Sequence, residues 1–339
     1  MNTEDIREIA NAVLYEGYLL YPYRHSAIKN RRRWNFGVVY PRAHAEASGG
    51  SQPWAMRVEC LMTGQSDTQV SVTIRFLSLL TARSTPVDEA ERRGAVGWEP
   101  GVWEEGIERE ICLGGLSLGE LVERSKRRHF AFPAGRMTET PKSASGGQIT
   151  REQRPIAGVV RVSAERLSGA SGAFRLSARI ENLSPIPGVA PLREDDALLS
   201  SFISTHAILQ AERGAFVSSL DPPESLRDAA DACRNQGAYP VLVGDEGETS
   251  AMLASPIILY DYPKIAPESA GALFDGTEID EILTLRILAL SDEEKAEMRA
   301  GDERARAILE RTESLTAEQL MKLHGVIRGM GPSAEGGSA

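Results

Sequence analysis

Cysteine is scarce in this chain. Three residues, Cys60, Cys112 and Cys233, are spread over 339 positions. An odd and scattered set excludes a disulfide framework and a CxxC metal knuckle. Cys60 in "MRVECLMTG" and Cys112 in "EREICLGG" sit in strand-like contexts, so all three are expected to be small buried hydrophobes. Long apolar runs are also missing: nothing approaches the roughly 18 residues needed to cross a bilayer. The opening "MNTEDIREIANAVLYEG" lacks the basic start and apolar core of a signal peptide and carries Glu4, Asp5 and Glu8 instead. These absences predict a cytoplasmic protein with no membrane insertion.

Catalytic signatures are absent too. There is no GxxxxGK[ST] phosphate loop and no GxSxG nucleophile elbow, and no GxGxxG follows a strand and opens a helix. The five histidines, His25, His44, His129, His206 and His324, never fall at HxH or HExxH spacing. His206, in the apolar "ISTHAILQ", reads as a hydrogen-bonded sheet histidine. No cofactor is expected.

What is present is an ordinary globular composition. Hydrophobic residues make up 42% and charged residues 25%, enough to bury a core. The length allows two domains, or one with a helical annex. The net charge of −10 disfavours general nucleic-acid binding, although a local basic patch can still hold an anion.

Periodicity divides the chain. Ile6, Ile9, Ala10, Val13 and Leu14 recur at helical spacing, with Asn2 or Thr3 as N-cap and Gly17 as stop. "AHAEASGGSQ" reads as a loop. From residue 54, alternation takes over. Val70, Val72, Ile74 and Phe76 share one face against Ser71, Thr73 and Arg75, and Phe174, Leu176, Ala178 and Ile180 alternate with Arg175, Ser177, Arg179 and Glu181. Such strands have one buried face. "VWEEGIEREICL" and "IAGVVRVSAERL" are further strands, and the second is joined to "AFRLSARIENLS" through "SGASG". "SLGELVERSKRRHFAFPAG" reads as a short helix leading into a loop, and residues 136–154 as a long mobile loop. "LLSSFISTHAILQAE" and "AFVSSL" read as a hairpin through Arg213-Gly214, with "YPVLVG" and "SPIILYDYP" as the last strands. Beyond 263 the pattern is helical, with capping-box spacings at Ser291/Glu294 and Thr316/Gln319.

The expected fold is therefore α+β. An N-terminal helix and aromatic-basic segment occupy 1–50. A mainly antiparallel, sandwich-like β body fills 51–262, a C-terminal helical cap 263–330, and a disordered tail 331–339.

Two stretches carry the candidate function. Between Arg24 and Arg42 six Lys/Arg face no acid, while residues 264–319 hold fourteen acids against seven bases. Tyr21, Tyr23, Arg24, Lys29, Arg31, Arg32, Arg33 and Trp34 have the composition of an interface anchor. They equally suit core aromatics beside a solvated edge, or a stacking platform for single-stranded nucleic acid. Asp261, Asp275, Glu278 and Asp280 form an acidic counterpart. Thr277 as N-cap with acids in the first helical turn also explains that stretch. A metal site would draw on His25, His44, Asp261, Asp275 and Asp280.

Three long strings, "VLYEGYLLYPYRHSAIKNRRRWNFGVVYP", "STHAILQAERGAFVSSLDPP" and "SPIILYDYPKIAPESAGALFDGTEIDEILTLRILALSDEEK", together resemble an uncharacterised bacterial family encoded beside genes for oxygen-tolerant, high-affinity [NiFe] hydrogenases. The resemblance covers most of the chain, with gaps near 84–100 and 136–154. It implies a non-enzymatic accessory or maturation protein that binds a hydrogenase subunit or another accessory protein. A metal-handling factor or enzyme, and a structural subunit of a larger complex, are the alternatives. Paired CxxC motifs for a [NiFe] centre are absent, so the chain is not the catalytic subunit.

Overall fold

The computed structural model describes residues 3–16, 36–86, 102–139, 147–188 and 190–264, together with Lys295, Arg299, Leu309, Glu310 and Glu313. The chain divides into two units, residues 1–20 with 25–264, and residues 21–24 with 265–339.

The first unit is built on two antiparallel sheets. The strands are β1 (Ala55–Thr63), β2 (Gln69–Pro86), β3 (Val102–Ser117), β4 (Lys126–Phe132), β5 (Gly135–Glu139), β6 (Gly147–Gln153), β7 (Ile156–Arg166), β8 (Ala173–Asn182), β9 (Ile203–Glu212), β10 (Ala215–Phe216), β11 (Tyr239–Leu242) and β12 (Ala251–Ser255). One sheet has the order β10-β1-β8-β7-β4. The other runs β11-β12-β9-β2-β6-β5, with β3 on the opposite edge of β2. Strand β2 is long enough to be shared: its first half pairs with β9 and its second half with β6, end to end on one edge.

The inner faces of both sheets form one core. Met56, Val58, Val160, Val162, Leu176, Ala178 and Ile180 from the first sheet join Val70, Val72, Ile74, Phe76, Ala207, Leu209 and Met252 from the second. Phe76 stacks on Phe202 with ring centroids 4.4 Å apart. The period-2 alternation read from β2 and β8 is thus the inward-facing half of a sandwich.

Helix α1 (Thr3–Glu16) covers the outer face of the second sheet. Its Ile6, Ala10 and Val13 pack on Ile208, Val241, Val243, Ala251 and Leu253. Burying each branched side chain is worth about 1.5–3 kcal/mol, which stabilises a helix of 14 residues that is marginal by itself.

Asn182 pins the loops at one end. It is fully buried, its Nδ2 donates to the carbonyls of Val39 (2.8 Å) and Ser200 (2.9 Å), and its Oδ1 accepts from the Ser184 amide (2.9 Å). Beside it, Gly37 has φ +54°, and a Cβ there would lie 2.7 Å from Pro256 Cβ.

Several expectations are corrected. Residues 42–47 form helix α2 (Arg42–Ala47), not a loop. The segment after Leu118–Glu123, a helix capped by Ser117, is strand β4 and not a loop. Within 136–154, expected to be a mobile loop, β5 pairs with β6 and β6 pairs with β2; residues 140–146 lie outside the described residues. Strands β9 and β10 are not a hairpin. At Arg213-Gly214 the chain leaves one sheet for the other, because β10 pairs with β1. The last strand is "AMLAS", one segment earlier than expected. After it, Ile257 and Leu259 join the α1 cluster while Ile258 and Tyr260 are exposed.

In the second unit, Lys295, Arg299, Leu309, Glu310 and Glu313 are helical, and Arg299 pairs with Glu313 at 2.8 Å. The remainder of the expected C-terminal helical cap and tail lies outside the described residues. No described helix is long and apolar enough to cross a membrane.

Candidate functional site

The outer face of the first sheet, beyond the patch where Leu61 and Ala173 are buried with Leu226, carries an unusual charge pattern. On β1, β8 and β7, residues 56, 58, 178, 180, 160 and 162 point into the core. Alternation therefore turns Arg57, Arg179 and Arg161 outward. The register then sets them side by side: Arg57 opposes Arg179, Arg179 opposes Arg161, and Arg161 opposes Arg127 on edge strand β4. Four arginines thus cross four adjacent strands in one row. At about 4.8 Å per strand, three steps span about 14 Å.

Like charges directly opposite one another destabilise a sheet. Part of the row is compensated. Arg57 pairs with Glu59, and Arg179 Nε donates to Glu181 Oε1 at 2.7 Å. Arg175, nearby on β8, pairs with Glu165 at 3.0 Å. Among the described residues, Arg161 and Arg127 have no carboxylate partner, and Arg161 Nε is buried without an acceptor.

One end of the row is rigidly framed. Arg57 and Gln236 exchange backbone hydrogen bonds of 3.0 and 2.8 Å along the edge of β1. Glu59 accepts from the Arg234 amide at 2.6 Å, and its own amide donates to Asn235 Oδ1 at 2.7 Å. Trp54 lies beside this frame, with the Arg42 guanidinium 4.6 Å and the Arg179 guanidinium 5.2 Å from its ring centroid. Residues 50–55, Arg179 and Gln236 line a cleft of about 230 Å³, into whose wall Gln52 contributes a buried, unpartnered Oε1. That volume is below the roughly 300 Å³ of small-molecule sites. It suits one protruding side chain of a partner.

The residues singled out from the sequence fall differently. Tyr21, Tyr23, Arg24, Lys29, Arg31, Arg32, Arg33, Trp34, Asp275, Glu278 and Asp280 lie outside the described residues, as does His25. Asp261, expected to face a partner, is engaged within the fold. Its Oδ2 accepts from Ser218 Oγ at 2.5 Å and its Oδ1 from the Leu242 amide at 2.8 Å, holding the end of β11. His44 is buried, with Nδ1 accepting from the Leu192 amide at 3.0 Å. Among the described residues no group of three or more His, Cys, Asp or Glu could hold a metal ion. Of the cysteines, Cys60 is buried and burial pushes its thiol up; Cys112, expected to be buried, is exposed at the edge strand β3.

A second polar cluster lies under α1. Arg75, opposite His206 across the sheet, donates to Asn11 Oδ1 at 2.8 Å and Glu108 Oε2 at 3.3 Å. His206 is fully buried, with Nδ1 2.8 Å from the Ser204 carbonyl. Burial, helped by the Arg75 charge, pushes its pKa down to about 3. A general base needs a value near the working pH, so this imidazole is suited to holding structure.

Sequence reasoning missed Arg57, Arg127, Arg161 and Arg179. Arg57, Arg161 and Arg179 stand at outward positions of strands whose alternation could reveal them, whereas Arg127 lies on edge strand β4, which no apolar alternation marks. Their alignment depends on pairings between distant segments. Comparison with known proteins finds no matching family model and no matching curated protein.

Proposed function

We propose that this protein is a non-enzymatic accessory protein that acts by binding another protein, docking an acidic surface on the arginine face of its five-stranded sheet. The observation that carries this reading is the row Arg57–Arg179–Arg161–Arg127, two of whose members have no carboxylate partner among the described residues. Charged groups on a surface steer a partner of opposite charge and fix its register. The Trp54 cleft at the end of the row offers an aromatic-arginine anchor of the kind that dominates interface energetics.

In this reading, which leans on the sequence resemblance, the partner is a subunit of a [NiFe] hydrogenase or another of its accessory proteins, met in the cytoplasm. The run Tyr21–Trp34 and the acids Asp275, Glu278 and Asp280 are further contacts in this reading.

The test is a tagged pull-down from the native host at low and high salt, with mass spectrometry and metal analysis of the eluate. Recovery of an immature large subunit assigns a maturation role, and recovery of the mature enzyme assigns a subunit. A protein that emerges alone and carries metal or a small molecule refutes the accessory reading.

A further inference from the structure

The open edge of the five-stranded sheet deepens this reading, on which it rests, by giving the partner a form. We infer that an acidic β-strand of the partner pairs antiparallel with β4 and extends that sheet by one strand.

The backbone decides which groups are offered. β4 is the last strand of its sheet and pairs with β7. In β7, the Ala157 carbonyl accepts from the Leu183 amide at 2.9 Å, and the Ala157 amide donates to Ser184 Oγ at 3.1 Å. Residue 157 therefore points its backbone toward β8, away from β4. Pointing alternates along a strand, and the β4–β7 register is unbroken. Gly158, Val160 and Val162 thus bond to Phe130, Arg128 and Lys126. The amides and carbonyls of Arg127, His129 and Ala131 consequently face outward. Among the described residues nothing bonds to these backbone groups, and all three residues are exposed. Such a row of unpaired donors and acceptors is a template for an added strand.

Charge selects which strand. β4 carries Lys126, Arg127 and Arg128 and no acid. A second copy of β4 on this edge would set those cations against their like, so self-pairing is disfavoured while an acidic strand is admitted. Arg128 is drawn across to β3, where its Nη1 donates to the Cys112 carbonyl at 2.8 Å. Arg127 has Arg161 on its inner side, so a carboxylate set opposite it on the outer side offsets their repulsion. The partner's acids therefore stand opposite Arg127 and His129, on the outer face. The position between them is followed by one opposite Phe130, which packs on the core, so the alternate positions are apolar. The exposed edge strand β5 carries Arg136 and Glu139 and makes no such choice.

The test uses the full chain and fluorescent peptides of about nine residues that alternate Glu and Val. In an antiparallel pair, residues opposite Arg127 and His129 exchange both bonds with them, so the Glu amides face β4. One peptide is N-methylated at its Glu residues and another at its Val residues; their charge is the same. Anisotropy titrations at low salt should show the Glu-methylated peptide weakened at least about tenfold and the Val-methylated one less than about twofold. Arg127→Glu should weaken the unmethylated peptide by about three- to tenfold. Ala131→Pro removes an outward amide that the fold does not use and sets a ring in the strand's path. It should abolish binding with unchanged circular dichroism. Equal binding of the two methylated peptides overturns the inference, as does tighter binding of a Lys-for-Glu peptide or of a single-stranded oligonucleotide of matched charge. Repeating the host pull-down with Ala131→Pro separates the two ideas. A partner held equally by parent and variant, with no peptide discrimination, removes the edge and keeps the accessory role. Peptide discrimination by a protein that recovers no partner does the reverse.

Discussion

Replacing Arg161 with Gln should make the fold more stable. Arg161 stands between Arg179 and Arg127, so it takes part in two like-charge cross-strand pairs. Each such pair costs roughly 0.2–1 kcal/mol. Glu181 already offsets Arg179, so removing the charge relieves mainly the pair with Arg127, a gain of up to about 1 kcal/mol. For a body of this size that corresponds to about 2–4 °C in melting temperature. Arg161→Lys is the control, because it keeps the charge and much of the stem. The assay is urea denaturation of both variants in about 10 mM and about 1 M salt. At 1 M the screening length is about 3 Å, shorter than the strand separation. The advantage of Gln over Lys should then largely vanish. A Gln variant no more stable than Lys at low salt, or a gain that salt leaves untouched, refutes the repulsion and with it the view that the row opposes folding.

Other perturbations probe the scaffold. Asn182→Leu leaves two buried carbonyls and one amide without their partner, so it should lower stability by about 3–5 kcal/mol, read from denaturant midpoints. Gly37→Ala must strain a positive φ and push against Pro256, and should cost about 1–3 kcal/mol by the same measurement. His206 is held neutral, with a folded value near 3 that lies below its unfolded value near 6.5. Its contribution is fully present above about pH 6.5 and is lost as pH falls toward 3. Stability should therefore drop between pH 6.5 and 5, and His206→Asn should flatten that slope relative to the parent.

The legible parts of the fold were those with local periodicity. α1 and the inner faces of β2, β7 and β8 announce themselves because each buries one face, and burial imposes a period. β4 and β5 do not. "KRRHFAF" and "GRMTE" lie at sheet edges, with every residue of β5 exposed, so no apolar alternation marks them. The β9–β10 step failed for a different reason. Arg213-Gly214 looks like a hairpin turn locally, yet the partner of β10 is β1, some 150 positions away. The candidate site shares that difficulty. Arg57 and Arg179 are neighbours only because β1 and β8 pair. Asp261 has a structural role that its acidic stretch does not announce: its two oxygens accept from the Ser218 hydroxyl and the Leu242 amide.

The divided edge of β2 makes the body uneven in its resistance to opening. The half of β2 paired with β9 carries Val70, Val72, Ile74 and Phe76 into the shared core. The half paired with β6 supports a hairpin in which β5 is fully exposed and no described side chain of β6 is buried. Backbone bonds and surface ion pairs, such as Arg136–Glu152, hold that hairpin in place. It can peel away while the sandwich stays intact. Amide protons of residues 147–153 then exchange through a local fluctuation, and those of residues 69–77 wait for global unfolding. One continuous strand therefore belongs to two cooperative units, with the seam between them near Leu77 to Leu80.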